Sequence, residues 1–138
     1  MTLYAVDPGD VHVGIAHQRA GRQAAAFEEL ADQTPYFFDT VLRPADVLVI
    51  EEFRLYPNKA AAQSWSPMRT SELIGALKWL AAQHDAQVVM QPASIKIPTR
   101  KQCAARGICY NGVDSIHAKD AWLHLQYFIL RGGKHGYS

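Results

Sequence analysis

Two short apolar segments of this chain each end in a carboxylate, and this pattern limits what the chain can fold into. Asp7 follows the segment 3–6, and Glu51 follows the segment 47–50. A continuous apolar run such as 47–50 is typical of a strand that is buried on both faces of a sheet. A carboxylate at the end of a buried strand is unfavourable unless a cation lies against it. We therefore predict neighbouring strands that bring Asp7 and Glu51 together beside a cation.

A third cluster of polar residues stands near the C-terminus, where His117 and Asp120 lie in the first part of the amphipathic segment 114–130. Residues three apart share one face of a helix, so both side chains can point at one site. With Asp7 and Glu51 they predict carboxylates that converge on divalent metal, because Mg²⁺ prefers carboxylate and water oxygens. Two such ions about 3.5–4 Å apart can hold the attacking water and the leaving oxygen of a phosphodiester. The residue types therefore favour metal-assisted phosphodiester hydrolysis.

Length and composition predict one globular domain over residues 1–131 and a C-terminal tail over residues 132–138. A hydrophobic fraction of 49% with 20% charged residues is normal for a soluble protein. No apolar run approaches the roughly 20 residues that span a bilayer, and the first residues lack a signal-peptide pattern. Cys103 and Cys109 favour reduced thiols over a disulfide or zinc site. We expect a cytoplasmic protein, in a bacterial cell or a phage-infected host, with no membrane partner.

The net charge of +1 is distributed unevenly along the chain. Residues 1–50 contain three basic and seven acidic residues, a net charge of −4. From residue 91 onward seven basic residues stand against two acidic ones, a net charge of +5. A basic C-terminal third beside an acidic cluster suits a polyanionic substrate that is cut at a metal site.

Apolar periodicity and turn signals predict five strands and four helices. The strands are expected at residues 3–6, 11–17, 23–27, 47–50 and 87–90, and the helices at 36–42, 67–83, within 92–107 and at 114–130. Thr34 and Pro35 predict the cap and the first position of the first helix, and Asp114 predicts the N-cap of the last one. This order of elements predicts an α/β protein whose sheet carries helices on both faces.

Three segments place the polar residues in a recognisable order: Ala-Val-Asp-Pro-Gly at 5–9, followed by Gly14, Val-Ile-Glu-Glu-Phe at 49–53, and His-Ala-Lys-Asp-Ala at 117–121. This arrangement resembles the ribonuclease H-like superfamily and, within it, the RuvC-type Holliday junction resolvases. The resemblance implies a five-stranded mixed sheet of order 3-2-1-4-5 and a homodimer. It also implies cutting of branched DNA such as a four-way junction, with two Mg²⁺ or Mn²⁺ ions and no small-molecule cofactor, leaving a 5′-phosphate and a 3′-hydroxyl.

The resemblance also implies a role for each acidic residue. Asp7 would bridge two metal ions, Glu51 would bind one of them, and Asp120 would bind from the last helix. His117 stands where many members carry an acidic residue, so it either binds metal or assists the nucleophile or leaving group. Glu52 is the alternative to Glu51, but strand alternation puts Glu51 on the face of the sheet that its neighbours Val47 and Val49 share.

Further residues are candidates for DNA contacts. In RuvC-like proteins an aromatic residue in the loop after the second acidic strand stacks in the junction, and Phe53 and Tyr56 both fit that description. Basic side chains would neutralise phosphates; the candidates are Arg54, Lys59, Arg69, Lys96, Arg100, Lys101 and Lys119. The exposed part of helix 67–83, with Trp79, is the candidate dimer surface. His124 is interpreted as a packing residue.

The sequence thus predicts a crossover junction endodeoxyribonuclease, a hydrolase that uses two metal ions and acts as a homodimer. The compact length suits a phage version. Two alternatives remain open. One is a ribonuclease H-like nuclease without junction selectivity, and the other is a non-catalytic DNA-binding module of the same fold.

Overall fold

The computed structural model describes residues 1–53 and 65–132, without the side chains of residues 65–67. Five strands are present: β1 (Thr2–Asp7), β2 (His12–Arg19), β3 (Ala25–Leu30), β4 (Val47–Glu51) and β5 (Gln87–Gln91). The helices described are α1 (Thr34–Val41), α2 (Trp65–Gln83), α3 (Lys96–Ala105) and α4 (Ile116–Leu130). Short 3₁₀ turns, Ala31–Gln33 and Ala93–Ile95, lead into α1 and α3. In this part of the chain no helix is long and apolar enough to cross a membrane.

The five strands form one sheet in the order β3-β2-β1-β4-β5. Strands β1, β2 and β3 pair antiparallel, whereas β1 pairs parallel with β4 and β4 pairs parallel with β5. The predicted mixed sheet of order 3-2-1-4-5 is therefore confirmed. Every residue of β1 and β4 is buried, as expected for central strands covered on both faces.

Two hydrophobic clusters lie on opposite faces of the sheet. Leu3, Ala5 and Val49 pack with α4, while Tyr4 and Val6 pack with α1 and α2. Because side chains alternate along a strand, Asp7 shares the α4 face with Leu3 and Ala5. Glu51 shares that face with Val49 in the same way. The alternation therefore directs the side chains of both acids toward α4.

Small residues let α4 approach the sheet closely. Ala5 and Ala16 lie in the cluster beneath this helix. Gly14 pairs with Asp7 across β1 and β2. A Cβ atom at Gly14 would overlap the backbone carbonyl of His117. The glycine therefore allows the first turn of α4 to lie directly beside Asp7.

Several predicted boundaries were wrong for local reasons. Thr34 lies inside α1, because the preceding 3₁₀ turn extends the helical path, and its hydroxyl donates to the carbonyl of Leu30. Asp114 is not the N-cap of α4; Ser115 takes that position and its hydroxyl accepts from the N–H of Ala118 at 3.2 Å. Strand β3 begins and ends two to three residues later than predicted, at Ala25 and Leu30. The loop predicted at 51–63 lies largely outside the described residues.

The close approach at Gly14 predicts the effect of one methyl group. Gly14→Ala should destabilise the protein by about 1–3 kcal/mol, as other overpacked positions do. Gly75→Ala is the matched control, because Gly75 lies in the interior of α2 with open space around it. It should stabilise the protein by about 0.5–1 kcal/mol through helix propensity. Urea unfolding of both variants checks the prediction, and equal effects would contradict it.

Candidate active site

The structure brings the four predicted site residues together at the carboxyl end of β1 and β4. Asp7 and Glu51 end these two strands, and each carboxyl group shifts the pKa of the other. His117 and Asp120 come from the first turns of α4. The Nδ1 atom of His117 lies 3.3 Å from Oδ2 of Asp7. Strand ends and a helix N-terminal segment therefore hold the four side chains in one cluster.

Lys96 supplies the cation that the buried carboxylates require. Its Nζ atom lies 3.3 Å from Oε1 of Glu51 and 3.2 Å from Oδ2 of Asp120. Burial opposes the charged form of this lysine, but the charges of the two carboxylates outweigh it and raise the pKa of Lys96. The sequence predicted Lys96 as a phosphate contact. The structure places it inside the acidic cluster, at the start of α3 and directly after the turn that follows β5.

Asp7 and Glu51 differ strongly in their affinity for a proton. Burial, the hydrogen bond to Glu51 and the negative charges of Glu51 and Asp120 raise the pKa of Asp7 to about 9. Burial also acts on Glu51, but hydrogen bonds from His124 and Asp7 and the charge of Lys96 outweigh it and lower the pKa of Glu51 to about 2. Without a metal ion the pair therefore holds one proton near neutral pH, and Asp7 carries it.

His124 is a site residue whose place the sequence interpretation missed. It is fully buried in α4, and its Nε2 atom lies 3.3 Å from Oε2 of Glu51. Its Nδ1 atom lies 2.9 Å from Oε1 of Gln91, at the end of β5. The signal was its spacing from Asp120, four residues earlier, which puts both side chains on one face of the helix.

The other predicted residues that the structure describes lie outside this cluster. Arg69 pairs with Asp32 at 2.8 Å, and Lys119 pairs with Asp114 at 3.1 Å. Glu52 is half-buried, unlike the buried Glu51. Phe53 is 37% exposed just beyond β4, and Arg100 and Lys101 are exposed on α3. The remaining predicted DNA contacts, Arg54, Tyr56 and Lys59, lie outside the described residues.

The donor chemistry of the cluster fits a divalent cation. Within residues 1–53 and 65–132, no three His, Cys, Asp or Glu side chains are already arranged as a metal site. However, two of the carboxylates hold the ammonium group of Lys96 as a stand-in cation, and the third lies beside them. Oxygen ligands of this kind are those that Mg²⁺ and Mn²⁺ prefer. Asp7, Glu51 and Asp120 are therefore the candidate ligands.

A separate cavity of about 610 Å³ lies at the opposite end of β1. Its lining includes Thr2, Tyr4, Arg19 and Arg43, and none of the clustered acids takes part. The candidate chemistry therefore belongs to the acidic cluster and not to this cavity.

A mixed sheet of this order, covered by helices on both faces, defines the ribonuclease H-like fold. Within that class the chain has the fold of the RuvC-like Holliday junction resolvases. Thermus thermophilus RuvC matches with a TM-score of 0.61 and 16% identity, over 96% of this chain and 97% of that one. The structure of T. thermophilus RuvC in complex with Holliday junction substrate matches with a TM-score of 0.62 and 18% identity, over 96% of each chain.

The fowlpox virus resolvase in complex with substrate Holliday junction DNA gives a TM-score of 0.52 and 15% identity, over 93% of this chain and 99% of that one. No protein-family model and no curated protein sequence matches the chain. The likeness at these identities is one of fold, so the chemistry has to be argued from the site itself.

The proton on Asp7 predicts how stability depends on pH in EDTA. The folded protein keeps this proton up to about pH 9, whereas the unfolded chain releases it above 3.8, so this group lowers stability as pH rises between those values. Glu51 acts in the opposite sense, but its contribution is complete above 4.5. Asp7→Asn keeps the neutral form, so it should gain stability over the wild type, and more at pH 8 than at pH 5.

Thermal unfolding at the two pH values measures this difference. Asp114→Asn is the control, because that carboxylate is exposed and should change stability by less than about 0.5 kcal/mol at either pH. A wild type that is more stable than Asp7→Asn at pH 8 would contradict the shared proton.

Proposed function

We propose that this protein is a metal-dependent endonuclease that resolves Holliday junctions or other branched DNA, leaving a 5′-phosphate and a 3′-hydroxyl. The observation that carries the proposal is the convergence of Asp7, Glu51 and Asp120 around a cation. Their position at the carboxyl ends of two central strands and on the adjoining helix of a RuvC-like fold supports it. RuvC and the fowlpox virus resolvase have both been determined with Holliday junction DNA.

Each side chain of the cluster has a part in this proposal. Mg²⁺ or Mn²⁺, held by Asp7, Glu51 and Asp120, would activate water and stabilise the charge that develops on the phosphate. Asp7 gives up its proton when a cation binds, since a carboxylate ligand must be ionised. Lys96 adds a positive charge beside Glu51 and Asp120, which favours the approach of a phosphodiester. His117 uses one ring nitrogen to contact Asp7, which leaves the other to accept or return a proton.

Branched DNA is the proposed substrate, and the charge distribution supports it. Arg100 and Lys101 are exposed on α3, the helix that begins with Lys96 beside the cluster. Phe53 stands two residues after Glu51 with part of its ring exposed. An aromatic ring near the reacting phosphate can stack on an unpaired base, which is worth about 1–3 kcal/mol per base. These positions suit DNA whose strands separate near the site.

A homodimer is proposed from the outer face of α2. Met68 is 54% exposed and Trp79 is 62% exposed. Two large apolar side chains that remain exposed on one helix face, with the exposed Glu72 between them, support an interaction surface there. A two-fold dimer built on it would present two equivalent sites, which suits paired nicks in opposite strands.

Cleavage of three labelled substrates tests the activity: an immobile four-way junction, the matched linear duplex and an RNA–DNA hybrid. With Mg²⁺ or Mn²⁺ we expect paired nicks in the junction, and none in EDTA. Asp7→Asn and Glu51→Gln should each lower the rate at least about a hundredfold, because metal-ion catalysis supplies several kcal/mol. Asp114→Asn is the control for an exposed acid outside the cluster.

The other outcomes separate the alternatives. Cutting of the duplex or hybrid as readily as the junction would contradict junction selectivity and favour a general ribonuclease H-like nuclease. Tight junction binding without cutting in either metal would favour a DNA-binding module without catalysis.

The dimer makes its own prediction. Light scattering of the eluted protein should give twice the mass of one chain, and Trp79→Glu should give the mass of a single chain, because a charge replaces apolar surface at the interface. Tyr36→Glu is the matched control, since this tyrosine is exposed on α1. A wild type that elutes as a single chain at the concentrations used for cleavage would contradict the dimer.

A further inference from the structure

His124 has no exposed surface, yet its ring lies between two polar side chains instead of packing only against apolar ones. One ring nitrogen, Nε2, is 3.3 Å from Oε2 of Glu51, and the other, Nδ1, is 2.9 Å from Oε1 of Gln91. The three residues come from β4, β5 and α4, and Glu51 and Gln91 are direct partners in the parallel pairing of their strands. The row Gln91–His124–Glu51 therefore ends at a candidate metal ligand.

The donors and acceptors available in this row limit how its groups can be arranged. Oε2 of Glu51, Nε2 of His124 and Nε2 of Gln91 are all buried, and none has a hydrogen-bond partner at normal geometry among the described residues. A glutamine amide keeps its shape when its oxygen and nitrogen exchange places, so the network decides which atom faces His124. With the amide nitrogen donating to Nδ1, the Nε2 atom of His124 carries the ring proton and faces Oε2 of Glu51 at 3.3 Å. This arrangement places a positive N–H dipole opposite the carboxylate oxygen.

The two oxygens of Glu51 consequently face different partners. Oε2 faces His124, while Oε1 lies 3.3 Å from the ammonium group of Lys96. A carboxylate held through one oxygen cannot rotate freely, so the other oxygen stays directed at the cation. Buried hydrogen-bond partners behind a metal ligand fix its orientation in this way, and their loss costs about 10–100-fold in metal affinity.

We propose that His124, supported by Gln91, is a positioning residue that holds Glu51 with Oε1 directed at the divalent cation. The inference rests on the proposed function, because it assigns the cation to the same site. It adds a residue from the interior of α4 that neither binds the ion nor reaches the DNA.

Two substitutions of His124 test the roles of its two ring nitrogens separately. A glutamine at this position carries its amide nitrogen near the place of Nε2, so His124→Gln keeps a donor for Glu51. An asparagine reaches only the place of Nδ1, so His124→Asn keeps a partner for Gln91 and loses the donor for Glu51. Leu125→Ala is the control for lost packing, because Leu125 is equally buried at the adjacent position of α4.

Binding of Mn²⁺ to the full chain is the readout, measured from the spin-resonance signal of the free ion as the protein is titrated. We expect His124→Asn to bind about 10–100-fold more weakly than the wild type. His124→Gln should stay within a few-fold of it, and Leu125→Ala should lose stability with no change in Mn²⁺ affinity. Thermal unfolding of each variant in EDTA shows whether it is folded under the titration conditions.

Each alternative result decides a different question. Equal Mn²⁺ affinity of the asparagine and glutamine variants would overturn the positioning role, even if the wild type cuts junctions. A wild type that binds no Mn²⁺ would overturn it as well. The expected difference in affinity, found together with no cutting of any DNA, would support the positioning role and remove the nuclease activity instead.

Discussion

The structure depends on one electrostatic constraint, which is that several carboxylates and an ammonium group share one largely buried cluster. An isolated buried charge is strongly unfavourable, and the ammonium group of Lys96 offsets the charges of the buried Glu51 and the half-buried Asp120. Asp7 meets the same constraint differently, by keeping its proton. Because these residues come from β1, β4, α3 and α4, the cluster links four elements of the fold to one another.

The packing of α4 follows from the same requirement. Its first turns must come close enough to β1 and β2 for His117 to reach Asp7, which large side chains between helix and sheet would prevent. Ala5, Ala16 and Gly14 leave that space. The opposite face of the sheet has larger side chains such as Tyr4 and Ile15, which pack under α1 and α2. The difference in side-chain size between the two faces thus decides which side of the sheet carries the site.

The sequence was informative where one local rule decided the outcome. Strand alternation put Glu51 on the same face as Val49, and helical spacing aligned His117 with Asp120. The sequence was uninformative where packing between elements that are distant along the chain decides the position of a side chain. Nothing local distinguishes Lys96 from Arg100 or Lys101, because only the docking of α3 turns Lys96 inward. A buried histidine such as His124 is interpreted as a packing residue from sequence, because only the fold places Gln91 of β5 beside it. Asp114 and Ser115 are equally suitable N-cap residues by type, so the sequence does not decide between them.

The buried acids also bear on the choice between an enzyme and a binding module. A protein that only bound DNA would be better served by cations at this surface, since carboxylates repel phosphate. It would also be more stable with well-packed apolar residues here, because replacing a buried ion pair by such residues is often neutral or stabilising. Asp7, with its strongly raised pKa, further lowers the stability of the metal-free protein at neutral pH. A divalent cation reverses this disadvantage, because it stabilises the ionised form of every carboxylate that it contacts. The cation binding that we propose would therefore account for an arrangement that is unfavourable in the metal-free protein.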